Sequence, residues 1–450
     1  MTVADSVAGD FPQARGHWLF GHAAQFAARA HLLPAEVGAG HGGIAWFRIL
    51  HKRFLAVTDA SYIRQVLVTK HEKYERSFQY RNSQVINGRG LLSTDGPFWL
   101  KRRRQILPAF RPDALQRLAP STSEATEAML ASWEGYRQRG EPVPAIAETQ
   151  HLSLSVIGRA LLSTDVGRGD SERFGAAVRD SLHLLRRRNT SWMAPPLWLP
   201  TRGNRHLHMT RAILDSYVTR HIAERQHCPV RHDILQTMRQ AREPDGSISL
   251  DDGALRDETK TLFIAGFETT ATALAWTLYA LAGRPALAEE LHDELHAVLR
   301  GAAPDLDSLK RLPLTAAVLN ETMRLYPSVY HISRECIEED MYDGRRIPRG
   351  SLLLLSIFGM QRDPALWTDA EDFRPQRFLG SDWPRHAFMP FIIGKHTCIG
   401  NHFALTEMMI ALAMIVQRYR LALADPRPVG MQARITLAPD REIALRLDPR

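Results

Sequence analysis

Cys398 stands in the run Phe391-Ile-Ile-Gly394-Lys-His396-Thr-Cys398-Ile-Gly400, between two glycines and directly before a helix-period stretch with Phe403, Met408, Met409 and Ala411. A thiol so placed meets unpaired backbone N–H groups and the positive end of a helix dipole, and both favour the thiolate form that binds a metal. Gly394 and Gly400 let the backbone approach a flat macrocycle closely. Taken alone, a single cysteine of this kind is more often a small buried hydrophobe than a ligand.

A second group of chemical interest is Ala265-Gly266-Phe267-Glu268-Thr269-Thr270, inside the apolar run Thr261 to Gly283, where Glu268 is the only charge. A buried acid is costly without a partner or a task. Small residues at 265 and 266 leave room for a bound diatomic, the hydroxyl of Thr269 can bond it, and the Glu268 carboxylate can relay protons. A threonine hydroxyl bonded to the carbonyl four residues back would distort the helix and widen that groove. The plain alternative is that Thr269 packs and Glu268 pairs with a buried base.

These groups need elements to hold them, and 450 residues with 44% hydrophobic content suffice for a large core. Alternating residues from Gly42 to Thr58, around a polar His51-Lys52-Arg53 centre, read as a hairpin. From about Ala60 to Arg300 the apolar spacing is helical, broken by turns such as Ala194-Pro-Pro-Leu-Trp-Leu-Pro200. After Pro327 a strand at Leu352 to Ile357, an irregular stretch and a helix from about Cys398 to Tyr419 are expected. Without repeats or flexible linkers, residues 1–450 read as one mainly α domain with small β-sheets (α+β), its first 40 residues or so an N-terminal approach segment.

Composition narrows the function. The net charge of +8 is carried in short clusters such as Lys101 to Arg104 and Arg186 to Arg188, without a basic tail, so no nucleic-acid partner is expected. Three scattered cysteines, Cys228, Cys336 and Cys398, give no disulfide framework and fit a reducing compartment. Met1 to His22 shows neither a secretory signal nor a membrane anchor, and the Thr261 to Gly283 run, carrying Glu268 and four threonines, reads as a buried helix. A cytoplasmic protein without an integral membrane anchor is the expectation.

The cysteine segment resembles the haem-binding loop of the cytochrome P-450 family, matching its Phe, Gly, basic residue, Cys and Gly at each position, in the manner of a soluble bacterial-type member. The resemblance implies a long central helix over the haem and the cysteine loop beneath it. It makes Cys398 the axial ligand of the iron in haem b, packs Phe391 beside the sulfur, lets Gly394 and Gly400 border the ring, and has His396 donate to a propionate. Thiolate ligation of this kind pushes electron density towards O–O cleavage. The acid-alcohol pair of the family's central helix matches Glu268, as proton relay, and Thr269, for oxygen protonation, with Ala265 beside the oxygen site.

The family's Glu-x-x-Arg helix selects Glu321-Thr-Met-Arg324, ahead of Leu325-Tyr326-Pro327, from other copies of the string at Glu134 and Glu371. By resemblance Glu321, Arg324 and Arg377 form a structural ion network, and Arg334 binds a propionate. Trp99 and Arg103, in Gly96-Pro97-Phe98-Trp99-Leu-Lys-Arg-Arg103, match the family's Trp-x-x-x-Arg, with Pro97 suited to a first helical turn. Lys101, Arg102 and Arg104 read as solvated residues or as a docking face for an acidic electron donor.

The activity so implied is monooxygenation of a C–H bond of a lipophilic small molecule with O2. Electrons from NAD(P)H would arrive through a separate ferredoxin or flavodoxin and its reductase, since the 52 residues after Cys398 leave no room for a fused reductase. A peroxygenase and a non-catalytic haem sensor are the rivals. Pocket positions suggested by resemblance are Phe263, Phe267, Val329, Tyr330 and Ile332, apolar enough for a terpenoid ahead of a fatty acid, while His331 and Arg187 offer an anchor for a carboxylate. Trp192 to Pro200 reads either as an entry lid that touches membrane or as core packing.

Overall fold

The computed structural model describes residues 10–166, 172–190, 195–225, 233–243 and 245–450, so Cys228 and residues 192–194 lie outside the described residues. The chain divides into two compact units, one of Met1–Gln79, Met323–Phe373 and Gly380–Cys398, the other of Tyr80–Thr322, Arg374–Leu379 and Ile399–Arg450.

The first unit is built on a five-stranded sheet in the order Ile44–Ile49, Lys52–Val57, Leu352–Ser356, His331–Cys336, Tyr74–Arg76. The expected hairpin is its first pair, but the turn falls at Leu50 and His51, with Leu50 at φ +54, while Lys52 and Arg53 already pair with Ile49 and Arg48. Lys52–Val57 runs parallel to Leu352–Ser356 and every other pairing is antiparallel. Alternation buries Ala45, Phe47, Phe54, Ala56 and Leu354 against Leu33 and Val37, so one face of the sheet is closed by the helix Leu32–Ala39. Arg334 stands in register between Arg76 and Leu353.

The second unit is mainly helical, and its centre is the 31-residue helix Asp252–Ala282. Its start is fixed by Asp251, whose carboxylate accepts the Ala254 N–H at 2.7 Å. The polar first turns escape sequence periodicity because their side chains are paired inside: Lys260 donates to the Asp215 carboxylate and the Ile86 carbonyl, while Asp257 and Glu258 accept the N–H groups of Arg89 and Leu91. Beyond them the helix buries Phe263 and Phe267 among Leu154, Ile157, Phe174, Leu214 and Tyr217. The expectation of a buried rather than spanning helix holds. Among the described residues no helix is long and apolar enough to cross a membrane.

The helix Gly96–Ile106 is capped by Asp95 and carries Pro97 in its first turn, as its sequence asks. Helix Pro313–Leu325 stops before Pro327, and the last helix runs Asn401–Arg418 with Gly400 at its N-cap, so Cys398 falls just ahead of it rather than inside it.

Candidate active site

In the first unit the cysteine segment is shaped by one glycine. Gly394 opens the short turn Gly394–His396 at φ +76, and a Cβ there would lie 2.0 Å from the Leu67 carbonyl oxygen, so no side chain is tolerated. The turn is closed by the Thr397 N–H and hydroxyl, which both donate to the Gly394 carbonyl, and the Cys398 N–H donates to the Phe391 carbonyl at 2.9 Å. Cys398 is thereby presented to solvent, while Phe391 is half-buried. Cys336 shows the opposite environment: its buried thiol donates to the Glu338 carbonyl, and burial pushes its pKa up to about 11. Of these two thiols, Cys336 is the small buried hydrophobe and Cys398 the available nucleophile or ligand.

Beside this loop lie two buried nitrogen donors. Arg334, 2% exposed, donates to the Ser333 carbonyl at 2.9 Å and to Nδ1 of His396 at 3.4 Å. With Nδ1 accepting, the neutral His396 ring carries its proton on Nε2, the tautomer a donor at that atom requires. Arg334 has no carboxylate partner among the described residues, and a buried cation without an anion costs several kcal/mol. A ligand with its own carboxylates would satisfy it.

In the second unit the helix Asp252–Ala282 is buried along its apolar length, but Ala265 is exposed and Gly266 and Thr269 are partly so. Gly266 lets the helix pack closely on buried Ile157, since a Cβ there would come within 3.1 Å of it. The Thr269 hydroxyl donates to the Ala265 carbonyl at 2.8 Å, the back-bond expected from sequence. Glu268 turns away from solvent: it is 9% exposed, one carboxyl oxygen accepts the Thr436 hydroxyl at 2.9 Å, and the other is buried with no hydrogen-bond partner among the described residues. Burial pushes the carboxyl above the ordinary range, against the opposing pull of the Thr436 hydroxyl and Arg434.

The comparisons with known proteins bear on both sets of residues. The family model described as Cytochrome P-450 matches residues 11–443. The chain belongs to the cytochrome P-450 family. Over 440 residues it is 31% identical to cytochrome P-450 4A24 of Sus scrofa, covering 92% of this chain and 86% of that one. Over 386 residues it is 30% identical to cyclooctat-9-en-7-ol 5-monooxygenase of Streptomyces melanosporofaciens, covering 85% and 83%. Among solved structures, the cytochrome P-450DA haem domain matches with a TM-score of 0.88 at 26% identity, over 98% of this chain and 97% of that one. As a cytochrome P-450 the chain is a monooxygenase that uses haem, dioxygen and electron donors.

The residues at hand fit the haem. Cys398 gives an accessible thiol, Gly394 a close backbone approach, and buried Arg334 with His396 a site for carboxylates. In the second unit Trp99 is 3% exposed beneath Arg103, whose guanidinium lies 5.5 Å from its ring, and Gly400 caps the last helix, where a Cβ would lie 3.8 Å from Phe110. Replacing Arg334 with alanine is expected to leave the fold in place and speed loss of haem to an excess of a scavenger about 10- to 100-fold, read from the decay of the Soret band.

Both members of the Glu-x-x-Arg pair are fully buried. Glu321, fully buried, accepts the Arg374 N–H at 2.7 Å and Arg377 Nε at 3.1 Å. Arg324, also fully buried, donates to the carbonyls of Gln361, Ala370 and Asp372 and lies over the Trp367 ring. Arg324 therefore gathers loop carbonyls as well as any charge. Gln361, which drew no attention in the sequence, completes this knot by donating to the Met323 and Arg324 carbonyls and accepting the Met389 N–H.

Three other expectations are revised or placed. Arg102 is not a solvated or docking side chain: it is largely buried, 3.5 Å from fully buried Glu258, whose pKa burial pushes up to about 8. Lys101 and Arg104 are exposed as expected. His331 offers no charge to a carboxylate at neutral pH, because burial and nearby His31 push its pKa down to about 4, while Arg187 is exposed on the helix Glu172–Thr190. Phe263 and Phe267 are fully buried, with Phe174 edge-on to Phe263; Tyr330 and Ile332 are buried and Val329 half-buried.

Thr436 is the site residue that sequence reasoning missed. It lies between the paired strands Met431–Ala433 and Leu437–Pro439, far along the chain from Glu268, and no local pattern announces the contact.

Proposed function

We propose that this cytochrome P-450 inserts one atom of O2 into a C–H bond of a lipophilic small molecule, a terpenoid ahead of a fatty acid. In balanced form, substrate R–H, O2, two electrons and two protons give R–OH and water. NAD(P)H is the electron source, through a separate ferredoxin or flavodoxin and its reductase. Residues 1–450 act as one catalytic domain in the cytoplasm.

Haem b, held through Cys398, supplies dioxygen activation when bound. The chain's own residues do the rest. Cys398 would provide the sulfur ligand, and Phe391, Gly394, Gly400, Arg334, His396, Trp99 and Arg103 are the residues that family resemblance proposes would hold the group. The reading rests chiefly on the window at Ala265, Gly266 and Thr269, an opening in the buried apolar part of the helix beside the sequestered Glu268. Thr269 borders this window, and Glu268, whose carboxyl burial pushes above its ordinary range, is proposed as the proton relay behind it. Glu321, Arg324 and Arg377 position the loops around the site. Phe263, Phe267, Val329, Tyr330 and Ile332 are proposed to give the substrate an apolar setting. Relatives named for oxidation of cyclooctat-9-en-7-ol and of taurochenodeoxycholic acid favour a polycyclic lipid.

Substrate is sought by spin-shift titration of the haem-loaded protein with terpenes and fatty acids, followed by turnover under 18O2 with donor and reductase. Label in the alcohol, dependent on the donor, is the expected result. Peroxide-driven turnover faster than donor-driven turnover, without label from 18O2, would replace this reading with a peroxygenase.

Replacing Glu268 with glutamine is expected to slow turnover about 10- to 100-fold and to flatten the alkaline limb of its pH profile. The sign follows from burial. The folded protein holds this proton more tightly than the unfolded chain, so the acid costs no stability below its unfolded pKa and a growing amount as pH rises to the raised folded pKa. The glutamine variant should therefore melt above wild type at neutral and alkaline pH and level with it in acid. A variant that loses both activity and melting temperature would contradict a proton-holding role.

A further inference from the structure

Arg334 stands on the strand His331–Cys336, and Cys336 follows it two residues on, at the next position of the same face. Across the sheet Arg76 pairs with Arg334 and Tyr74 with Cys336. Tyr74 is thus placed about 7 Å along the strand pair from the residue read above as a propionate ligand. Three tyrosines lead away from it. The buried Tyr74 hydroxyl donates to Asp340 at 2.8 Å, which uses its only proton, so the fully buried Tyr62 hydroxyl, 3.2 Å away, donates to Tyr74. The Tyr62 ring stacks on that of Tyr342, with centroids 4.4 Å apart and planes inclined by 27°. Tyr342 is half-buried, and its hydroxyl donates to Asp59 at 2.8 Å.

The arrangement suits one-electron chemistry. Burial raises the pKa of all three phenols, that of Tyr342 to about 12, so each keeps its proton at neutral pH. A phenol that loses an electron becomes a strong acid, and its oxidation needs a base within hydrogen-bond reach. Each end of the series has one. Burial would raise the Asp340 carboxyl, but hydrogen bonds from Lys70, Tyr74 and Gln65 hold it below the ordinary range, so it is ionised and able to accept. Asp59 stands in the same relation to Tyr342. A core that needed only bulk here would be served by phenylalanine, which brings no hydroxyl to be satisfied.

We propose that Tyr74, Tyr62 and Tyr342 form a relay that carries an unused oxidising equivalent from the haem to the protein surface, a second redox activity beside substrate oxidation. When no C–H bond takes up the oxidant formed at the haem, that site takes one electron from Tyr74 and is reduced by one equivalent, while the Tyr74 proton passes to Asp340. The Tyr74 phenoxyl then takes the hydroxyl hydrogen atom of Tyr62 along their hydrogen bond. Tyr342 next gives an electron to Tyr62 across the stack and its own proton to Asp59, while the proton on Asp340 returns through Tyr74 to Tyr62. Tyr74, Tyr62 and Asp340 are then as they began. The radical left on half-buried Tyr342 takes an electron from a thiolate in solvent and recovers its proton from Asp59. The starting point rests on the reading of Arg334 as a propionate ligand, which haem loss from Arg334→Ala tests separately.

The test is addition of hydrogen peroxide to the haem-loaded ferric full chain without substrate, read by freeze-quenched electron paramagnetic resonance and, with a nitroso spin trap present, by peptide mass spectrometry. Wild type is expected to give a tyrosyl signal and a trap adduct on Tyr342. Tyr62→Phe keeps the ring and its stack and leaves the Tyr74 proton on Asp340, so its Soret band and melting temperature should stay close to those of wild type. It should nevertheless lose the adduct on Tyr342, and its Soret band should bleach severalfold faster under peroxide. Tyr342→Phe should hold the radical inside, with a longer-lived tyrosyl signal and faster bleaching, at an unchanged initial rate of substrate oxidation. Bleaching of haem-loaded wild type without a tyrosyl signal would overturn the proposal. So would an adduct on other partly exposed tyrosines such as Tyr136 in place of Tyr342, or undiminished labelling of Tyr342 in Tyr62→Phe.

Discussion

Replacing Cys398 with serine is expected to cut donor-driven turnover by at least about a thousandfold, some 4 kcal/mol in barrier. The serine hydroxyl is nearly isosteric with the thiol, so the backbone bond from residue 398 to the Phe391 carbonyl and the turn at Gly394 should persist. What changes is the donor atom, since a neutral hydroxyl binds iron weakly and supplies little electron density. Measured on haem-loaded protein with donor in excess, the variant should keep its melting temperature to within a few degrees. By contrast, Cys336→Ser should leave the spectrum unaltered and lower stability, because its thiol sits buried among groups that already raise its pKa. Near-normal turnover by Cys398→Ser would remove the thiolate from the chemistry.

Gly394→Ala should produce the next largest effect, and through shape alone. The added Cβ would fall 2.0 Å from the Leu67 carbonyl at a residue with φ +76. The left-handed backbone costs about 1–2 kcal/mol, and the overlap about 1–3 kcal/mol more, unless the whole turn moves. Either way the Cys398 loop is displaced, so haem content after purification should fall severalfold together with the melting temperature. Gly203→Ala, at a glycine with open space around it and helical φ, is the matched control and should change neither. An alanine variant at 394 that retained haem and melted like wild type would show the loop to be more pliable than this geometry allows.

What was legible in the sequence was what local chemistry encodes. Gly394 and Gly400 around Cys398, Pro97 in a first turn, the hairpin alternation and the Thr269 back-bond depend on residues within a few positions of each other, and each is found where the sequence puts it. The central helix was legible only from Thr261 onward. Its earlier turns look solvated in sequence yet are buried, because Asp215, Ile86, Arg89 and Leu91 come from distant segments to pair them. Arg102 misled for the same reason, as a member of a basic run that folds in towards Glu258. Long-range polar pairing carries no periodicity, so the Thr436 contact to Glu268 was equally invisible. Substrate identity shares that limit: it is set by the shape of an apolar surface, and Phe263 and Phe267 are as ordinary in a core as in a pocket.

The most direct test of the central claim is the carbon-monoxide difference spectrum of the dithionite-reduced, haem-loaded wild type. Ligation by the Cys398 thiolate predicts the strongly red-shifted Soret maximum that an anionic sulfur donor produces, present in wild type and lost in Cys398→Ser. A well-folded, haem-loaded wild type whose maximum lies instead at the shorter wavelength of nitrogen ligation would contradict it.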